Sequence, residues 1–430
     1  MQCFGDKNES SKVNECDIIS ALEFNQTGQY LAAGDRSGRV VIFVRGLTGL
    51  DYRFLTEIQS HESEFDYLKS IFIEEKICKV KWLPQQNNAQ YLLSTNEKTI
   101  KLWKVCEKPS KVVVDNNCSS RPPIPCLPTV RDTDEVVVQS SLKASYANDH
   151  SYNINSLSAC ADGETFLSAD DLRINIWNVS HPEASFNVLD IKPSHFECIS
   201  EVITTAEFHP SDWHSFLWGS SKGIINLADM RQRALVHSPA VQFLQSKGHS
   251  QNIISEMVQG ITCAKFSQDG RFVVSRDYMS ICIWDINMPS APIRRLPVNE
   301  YLMPKIGDLF DSELIYDKFD FCMNPTASQL MTGSYGNNFF IYDTINNSMQ
   351  PFEANRQALK RSQSKGQLNS PIVGLESGGG GAGAKKPTGF PSLNQFNTDR
   401  KVMHVAWHPC ENTVAVAATN MLYIFNQQHP

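Results

Sequence analysis

Apolar positions along this chain come in short runs broken by polar turns, not at the spacing of an amphipathic helix. The pattern is plainest at Thr165–Trp177, TFLSADDLRINIW. Phe166, Leu167 and Ala169 form a compact apolar run, Asp170 and Asp171 interrupt it, and Ile174, Ile176 and Trp177 resume it with β-branched and aromatic side chains. Such a segment predicts two short strands around a tight acidic turn. A lone hairpin of this size is marginal in water, so it has to stack on something.

Seven copies of the pattern follow one another: Ile18–Phe43, Cys78–Trp103, Ile154–Trp177, Ile203–Ala228, Ile261–Trp284, Phe319–Tyr342 and Val402–Phe425. Each gives three strands, as in ITCAKF, FVVSR and CIW of the fifth copy, and the segment before the next copy is long enough for a fourth. A four-stranded unit repeated in this way is the blade of a propeller. Trp284–Asp285, Tyr342–Asp343 and Trp177–Asn178 close three copies with Trp–Asp or a near variant, as WD-type repeats do. No helix-length amphipathic segment alternates with the strands, which argues against an α/β fold. The predicted class is all-β: a single seven-bladed WD-repeat β-propeller over residues 1–430, with loop and hairpin insertions.

The last copy ends on its third strand at Phe425, so its outermost strand has to come from elsewhere. Residues 1–13 precede the first copy and are expected to supply it, with Cys3–Phe4 or their neighbours pairing against the last blade. That pairing removes two free strand edges.

Composition changes this picture little. A length of 430 residues fits one ring because each blade adds its own layer of core. The net charge of −7 argues against a nucleic-acid partner held by phosphate contacts. Twelve cysteines include Cys78, Cys160, Cys263, Cys282 and Cys322 inside expected strands and no C-x-x-C pair, so they read as thiols of a reducing compartment. With neither a signal peptide nor an apolar run of spanning length, a cytosolic or nuclear protein with no membrane partner is expected. The Asn-x-Ser/Thr triplets at Asn8, Asn25, Asn178 and Asn346 then go unused.

Since the strands are occupied with packing, function is sought in the insertions between repeats. The first, Arg45–Lys76, carries Glu62, Glu64, Asp66, Glu74 and Glu75 against Lys69 and Lys76. It joins the outside of one blade to the inside of the next, so it emerges on the face of the turn holding Asp170 and Asp171. The second, Val105–His150, starts Pro-rich and ends in EVVVQSSLKASYA, which alternates like a strand and holds Val136, Val137, Val138 and Leu142. Residues 105–147 read as a hairpin projecting from the opposite face or as an irregular loop. The third, Ser180–Glu201, leads into an apolar stripe of Phe196, Ile199 and Val202 beside the acidic turn, a pattern that serves either core or surface. The fourth, Met230–Gly260, reads as polar and without signal. In the fifth, Asn287–Asp317, Phe310 and Tyr316 mix with Asp311 and Glu313, and Lys318 follows. In the sixth, the Gly/Ser/Lys-rich stretch 357–391 is expected to be a disordered linker. Its GGGGAGAKK lacks phosphate-loop spacing because Ala384 follows Gly383.

A catalytic centre is not expected. His61, His150, His195, His209 and His408 are scattered, and no nucleophile stands near a base in any known motif. Asp170 and Asp171 suit a carboxylate pair or half a cation site, but turn capping is the commoner use of Asp in such a loop. The inner strands ISALEF, ITTAEF and ITCAKF read as supplying no polar cluster to the central channel. The expectation is a non-catalytic protein with no cofactor and no metal.

Taken together and in order, IQSHESEFDYLKS, QYLLSTNEKTIKLWK, TFLSADDLRINIW, SSKGIINLADMR, YDKFDFCMN and AWHPCENTVAVAATNMLYIF closely resemble the WD-repeat regulatory B-subunit family of serine/threonine protein phosphatase 2A. The resemblance runs from Cys3 to Phe425 and includes insertions as well as blades. It implies a propeller that docks on the scaffold subunit, sits beside the catalytic subunit and recruits phosphoprotein substrates. It also implies a substrate groove at Asp171, Tyr152, Phe196, Ile199 and Val202, extended by Phe310, Tyr316 and Lys318, and a scaffold-binding hairpin in Val105–Ala147. Phe196 and Ile199 replace differently shaped apolar residues, Phe72 stands where an acid is common, and the first half of the hairpin matches poorly. An acidic rim beside an apolar stripe suits a short basic amphipathic helix. The competing reading is a general WD-repeat adaptor, which would not need the hairpin.

Overall fold

Runs of β-branched and aromatic residues, cut by Gly- and Asp-bearing turns, become seven four-stranded antiparallel sheets. The structure is a computed structural model that describes residues 1–5, 14–46, 51–85, 89–114, 129–193, 195–233, 235–236, 238–244, 253–346, 348–355, 398 and 400–426. Blade one runs Ile19–Phe24, Tyr30–Asp35, Arg39–Arg45 and Tyr52–Gln59. Blades two to six begin on the inner strands Lys79–Trp82, Ser156–Ala159, Ile203–Phe208, Cys263–Phe266 and Phe321–Met323. Blade seven consists of Val402–Trp407, Thr413–Ala418 and Met421–Asn426, with Gln2–Phe4 outermost. There Gln2 faces Ile424, Cys3 faces Tyr423 and Phe4 faces Leu422. The stretches 6–13, 115–128 and 357–391 lie outside the described residues.

The ring is held by what lies between blades. Seven of the core clusters each draw on two consecutive blades, and the series closes where Phe24, Leu31 and Phe43 of blade one pack against Ala406, Ala415 and Ile424 of blade seven. No blade therefore has a core of its own, and stacking supplies the burial that a single sheet lacks. Backbone bonds latch the same joints. The turn between second and third strands offers a carbonyl to the amide leading into the next blade, at Asp35 to Ile77 (3.0 Å), Glu97 to Ile154 (2.9 Å), Asp171 to Ile203 (2.8 Å) and Ser334 to Val402 (2.9 Å). This puts those turns and the segments entering each blade on one face.

The central channel corrects the sequence reading. Strand alternation points Glu23, Lys81, Glu207 and Lys265 inward, one residue before each inner aromatic or Phe, and they interact across blades. The Glu23 carboxylate accepts the Trp82 amide (3.0 Å) and pairs with Lys81 (2.5 Å). Glu207 accepts the Phe266 amide (2.8 Å), and Ser156 and Ser158 accept the amides of Ala206 and Phe208 (3.0 and 3.1 Å). Lys265 pairs with Asp320 (2.9 Å). Burial opposes ionisation of Asp320, but Lys265 and Lys79 outweigh it and hold the carboxyl far below the usual range. The polar groups do converge, but they are spent on satisfying the inner edges of neighbouring sheets.

Candidate functional site

The two acids of the central doublet have different fates. Asp170 is fully buried and accepts from the amides of Leu172 (2.8 Å) and Arg173 (2.7 Å) through Oδ1. Its Oδ2 lies 2.9 Å from His150 Nδ1, His150 Nε2 lies 2.6 Å from Ser168 Oγ, and Trp177 Nε1 donates to that hydroxyl at 2.8 Å. The indole can only donate, so Ser168 Oγ accepts from Trp177, and the ionised Asp170 carboxylate can only accept, so His150 Nδ1 is the donor to it. Burial pushes the Asp170 carboxyl up, yet the His150 and backbone bonds outweigh it and hold it below the ordinary aspartate value. Asp170 and His150 are thus structural, tying the segment before blade three to its second and third strands.

Asp171 is only half-buried, on the rim. Its backbone carbonyl is fixed by the Ile203 amide, which sets its position against the inner strand of blade four. Burial raises its carboxyl above the ordinary value, with Lys318 working the other way; burial likewise lowers the Lys318 ammonium, against the pull of Asp171. The two charges thus feel each other across the channel mouth. Lys76, Lys79 and Lys98 share that mouth, so the rim is mixed in charge and not uniformly acidic.

The other candidates fall into two groups. In the segment that leads to the Asp171 turn, Phe196 opens the 3-10 turn Phe196–Cys198, Ile199 is half-exposed, and Val202, next to the Ile203 amide that holds the Asp171 carbonyl, is anchored by its own amide on Ser221 Oγ (3.1 Å). Tyr152 is half-exposed beside Ser151, whose carbonyl accepts from Lys98 (2.8 Å). Across the mouth, Phe310 lies in the helix Ile306–Asp311, half-buried against a cluster with Leu302, Leu309 and Ile315. Tyr316 follows at 57 % exposure; Lys318 is exposed as a whole residue, although its ammonium is crowded enough by the surrounding mouth for its pKa to be lowered.

Sequence reasoning missed the link between these groups. The fourth insertion contributes the helix Ile253–Gln259, whose Val258 is buried in the Leu302 cluster and whose Met257 sulfur lies 3.8 Å from the Tyr316 hydroxyl. Its signal was there as apolar residues at 254, 257 and 258. In the first insertion, Glu64–Asp66 and Ile71–Ile73 pair as a small hairpin on the same face. Its tip exposes Tyr67 (86 %) and Leu68 (97 %), with Phe65 and Phe72 beside them, an apolar tip that the charge pattern of the insertion does not suggest.

On the opposite face, Ile100–Val114 and Thr129–Tyr146 extend blade two into a long hairpin. Val137 and Leu142 are about half-exposed, Val138 instead packs against the core between blades one and two, and Val136 pairs with Pro109 beside a bulge. A proline is tolerated at such an irregularity because it has no amide to pair. Among the described residues no group of His, Cys, Asp and Glu is arranged to hold a metal ion, and no helix is long and apolar enough to cross a membrane.

Two comparisons bear on this arrangement. The WD domain, G-beta repeat family matches residues 141–178 and 243–285, which include the Trp177 and Trp284 strands. The regulatory B-subunit of protein phosphatase PP2A from Schizosaccharomyces pombe is 42 % identical across 99 % of this chain and 97 % of its own length. A likeness that runs through blades and insertions alike shows that the chain belongs to the PP2A regulatory B-subunit family, whose role is regulatory and not catalytic.

Proposed function

We propose that this chain docks on the scaffold subunit of the phosphatase through the blade-two hairpin and recruits phosphoprotein substrates to the catalytic subunit through the opposite face. What carries the reading is the half-buried Asp171 carboxylate at the rim, with Val202 beside it, Ile199 leading into it and Lys318 across the mouth. A desolvated carboxylate favours a guanidinium or ammonium partner over water, and an apolar ledge at its side fits a short basic amphipathic helix. Exposed Val137 and Leu142 support the docking role of the hairpin. Cys160, Cys263 and Cys322 stand as buried thiols inside the blades, which suits a reducing compartment, the cytosol or nucleus.

The test is a pair of tagged variants purified from cells. Asp171→Lys is expected to lose substrates while retaining scaffold and catalytic subunits. Deletion of residues 122–139 is expected to lose the scaffold while the propeller stays folded. Substrates that survive the charge reversal, or assembly that survives the deletion, would refute the corresponding half.

A further inference from the structure

The rim segment carrying Phe310, Tyr316 and Lys318 is too short to hold itself in place. Its helix Ile306–Asp311 has six residues and its turn Leu314–Tyr316 three, with Glu313 between them at a φ of 60°. Helices of this length do not persist without support. The support is a polar network beneath the rim, centred on Asp317, the residue between Tyr316 and Lys318. Asp317 Oδ2 accepts from the Tyr335 hydroxyl at 3.0 Å and its Oδ1 pairs with Lys401 Nζ at 2.6 Å. The Tyr335 hydroxyl also lies 2.9 Å from the Leu314 carbonyl and 2.9 Å from the Tyr278 hydroxyl. With two acceptors competing for the Tyr335 proton, the Tyr278 hydroxyl is the donor in the third contact.

The network spans three blades. Tyr278 and Tyr335 sit in the turns between second and third strands of blades five and six, both buried. The Tyr335 ring meets Phe319 edge-on at 4.9 Å. Lys401 immediately precedes the inner strand of blade seven and bridges to the Tyr335 backbone. Asp317 and Lys401 are only 15 % and 28 % exposed on their side chains, so the pair is shielded from solvent screening.

We propose that Lys401 and Tyr335 are positioning residues for substrate recruitment, setting through Asp317 where Tyr316 and Lys318 stand in the groove. Blade seven, which gives the groove none of its candidate side chains, thereby controls its affinity. The inference rests on the groove reading given above. Lys401→Met keeps the side-chain length but removes the charge that clamps one Asp317 oxygen. Lys401→Arg keeps the charge, and Tyr335→Phe removes only the hydroxyl while the ring stays on Phe319.

The experiment uses the full chain and a fluorescent synthetic helix of about sixteen residues, with leucines at three- and four-residue spacing and two arginines, read by anisotropy. Lys401→Met and Tyr335→Phe are each expected to weaken binding about tenfold, and Lys401→Arg to restore most of it. In a Tyr316→Ala background the Lys401→Met loss is expected to shrink to the part that acts through Lys318, and in a Tyr316→Ala, Lys318→Ala background to vanish, which a merely structural role would not produce. An equal loss with and without Tyr316, or no loss in either variant, overturns the inference alone. A probe that fails to bind the unaltered chain, or still binds Asp171→Lys, brings down the groove reading and this inference with it.

Discussion

Replacing Asp170 with alanine should cost far more stability than replacing its neighbour. Asp170 receives three hydrogen bonds, from the Leu172 and Arg173 amides and from His150, at 2.7 to 2.9 Å. Bonds to a charged acceptor contribute roughly 1.5–3 kcal/mol each, but the partners regain some of this on relaxing, and removing one member of a buried pair costs about 3–5 kcal/mol. Asp170→Ala is therefore expected to lose about 3–5 kcal/mol, while half-exposed Asp171→Ala stays within about 1 kcal/mol. Asp170→Asn should fall between, since Asn96 at the matching turn of blade two already caps the Lys98 and Thr99 amides (3.0 and 2.8 Å). Acid dependence supplies a second signature. The folded carboxyl is held below its ordinary value, so its contribution is intact above about pH 4 and is lost as pH falls through the folded value. Asp170→Ala should flatten that part of the acid-unfolding profile. Urea unfolding at neutral pH is the assay, and a midpoint for Asp170→Ala no lower than that for Asp171→Ala would refute the buried Asp170–His150 arrangement as a source of stability.

Three further outcomes are expected. Asp320→Ala should destabilise by about 3–5 kcal/mol by stranding Lys265 in the channel, and pairing it with Lys265→Met should recover much of the loss, read from a double-mutant cycle of urea midpoints. Removing residues 1–5 should strip the outer strand from blade seven and speed amide exchange at Met421–Asn426, measured by hydrogen–deuterium exchange. Association of a basic substrate helix with the rim should slow as salt is raised, but less steeply than for an all-acidic patch, because Lys76, Lys98 and Lys318 share the mouth; stopped-flow rates against ionic strength test this.

The ring was legible because its rule is local and repeated: small and aromatic residues at fixed offsets mark each strand wherever they recur. The repeat pattern alone does not tell the two members of the doublet apart, since the fixing of Asp170 depends on His150, which lies outside that pattern; only the family resemblance singled out Asp171. The helix Ile253–Gln259 escaped notice because seven residues carry too short a period, and what makes it persist is burial of Val258 against a distant part of the chain. The channel was misread for another reason. In ISALEF and ITCAKF the apolar majority faces the neighbouring blades, while the single inward charge decides what the channel contains. Asp317 was passed over because its partners, Tyr335 and Lys401, lie in two later blades.

The pairing of Gln2–Phe4 with Leu422–Ile424 also orders events during synthesis. Of all the strands in the ring, the one that leaves the ribosome first is the one whose partner arrives last. Six blades can stack as they emerge, but the seventh joint waits until Leu422–Ile424 have been made, a contact of extreme sequence separation. Until then the nascent protein is an open arc with an unpaired edge at each end, and that interval is when a chaperone has most to protect.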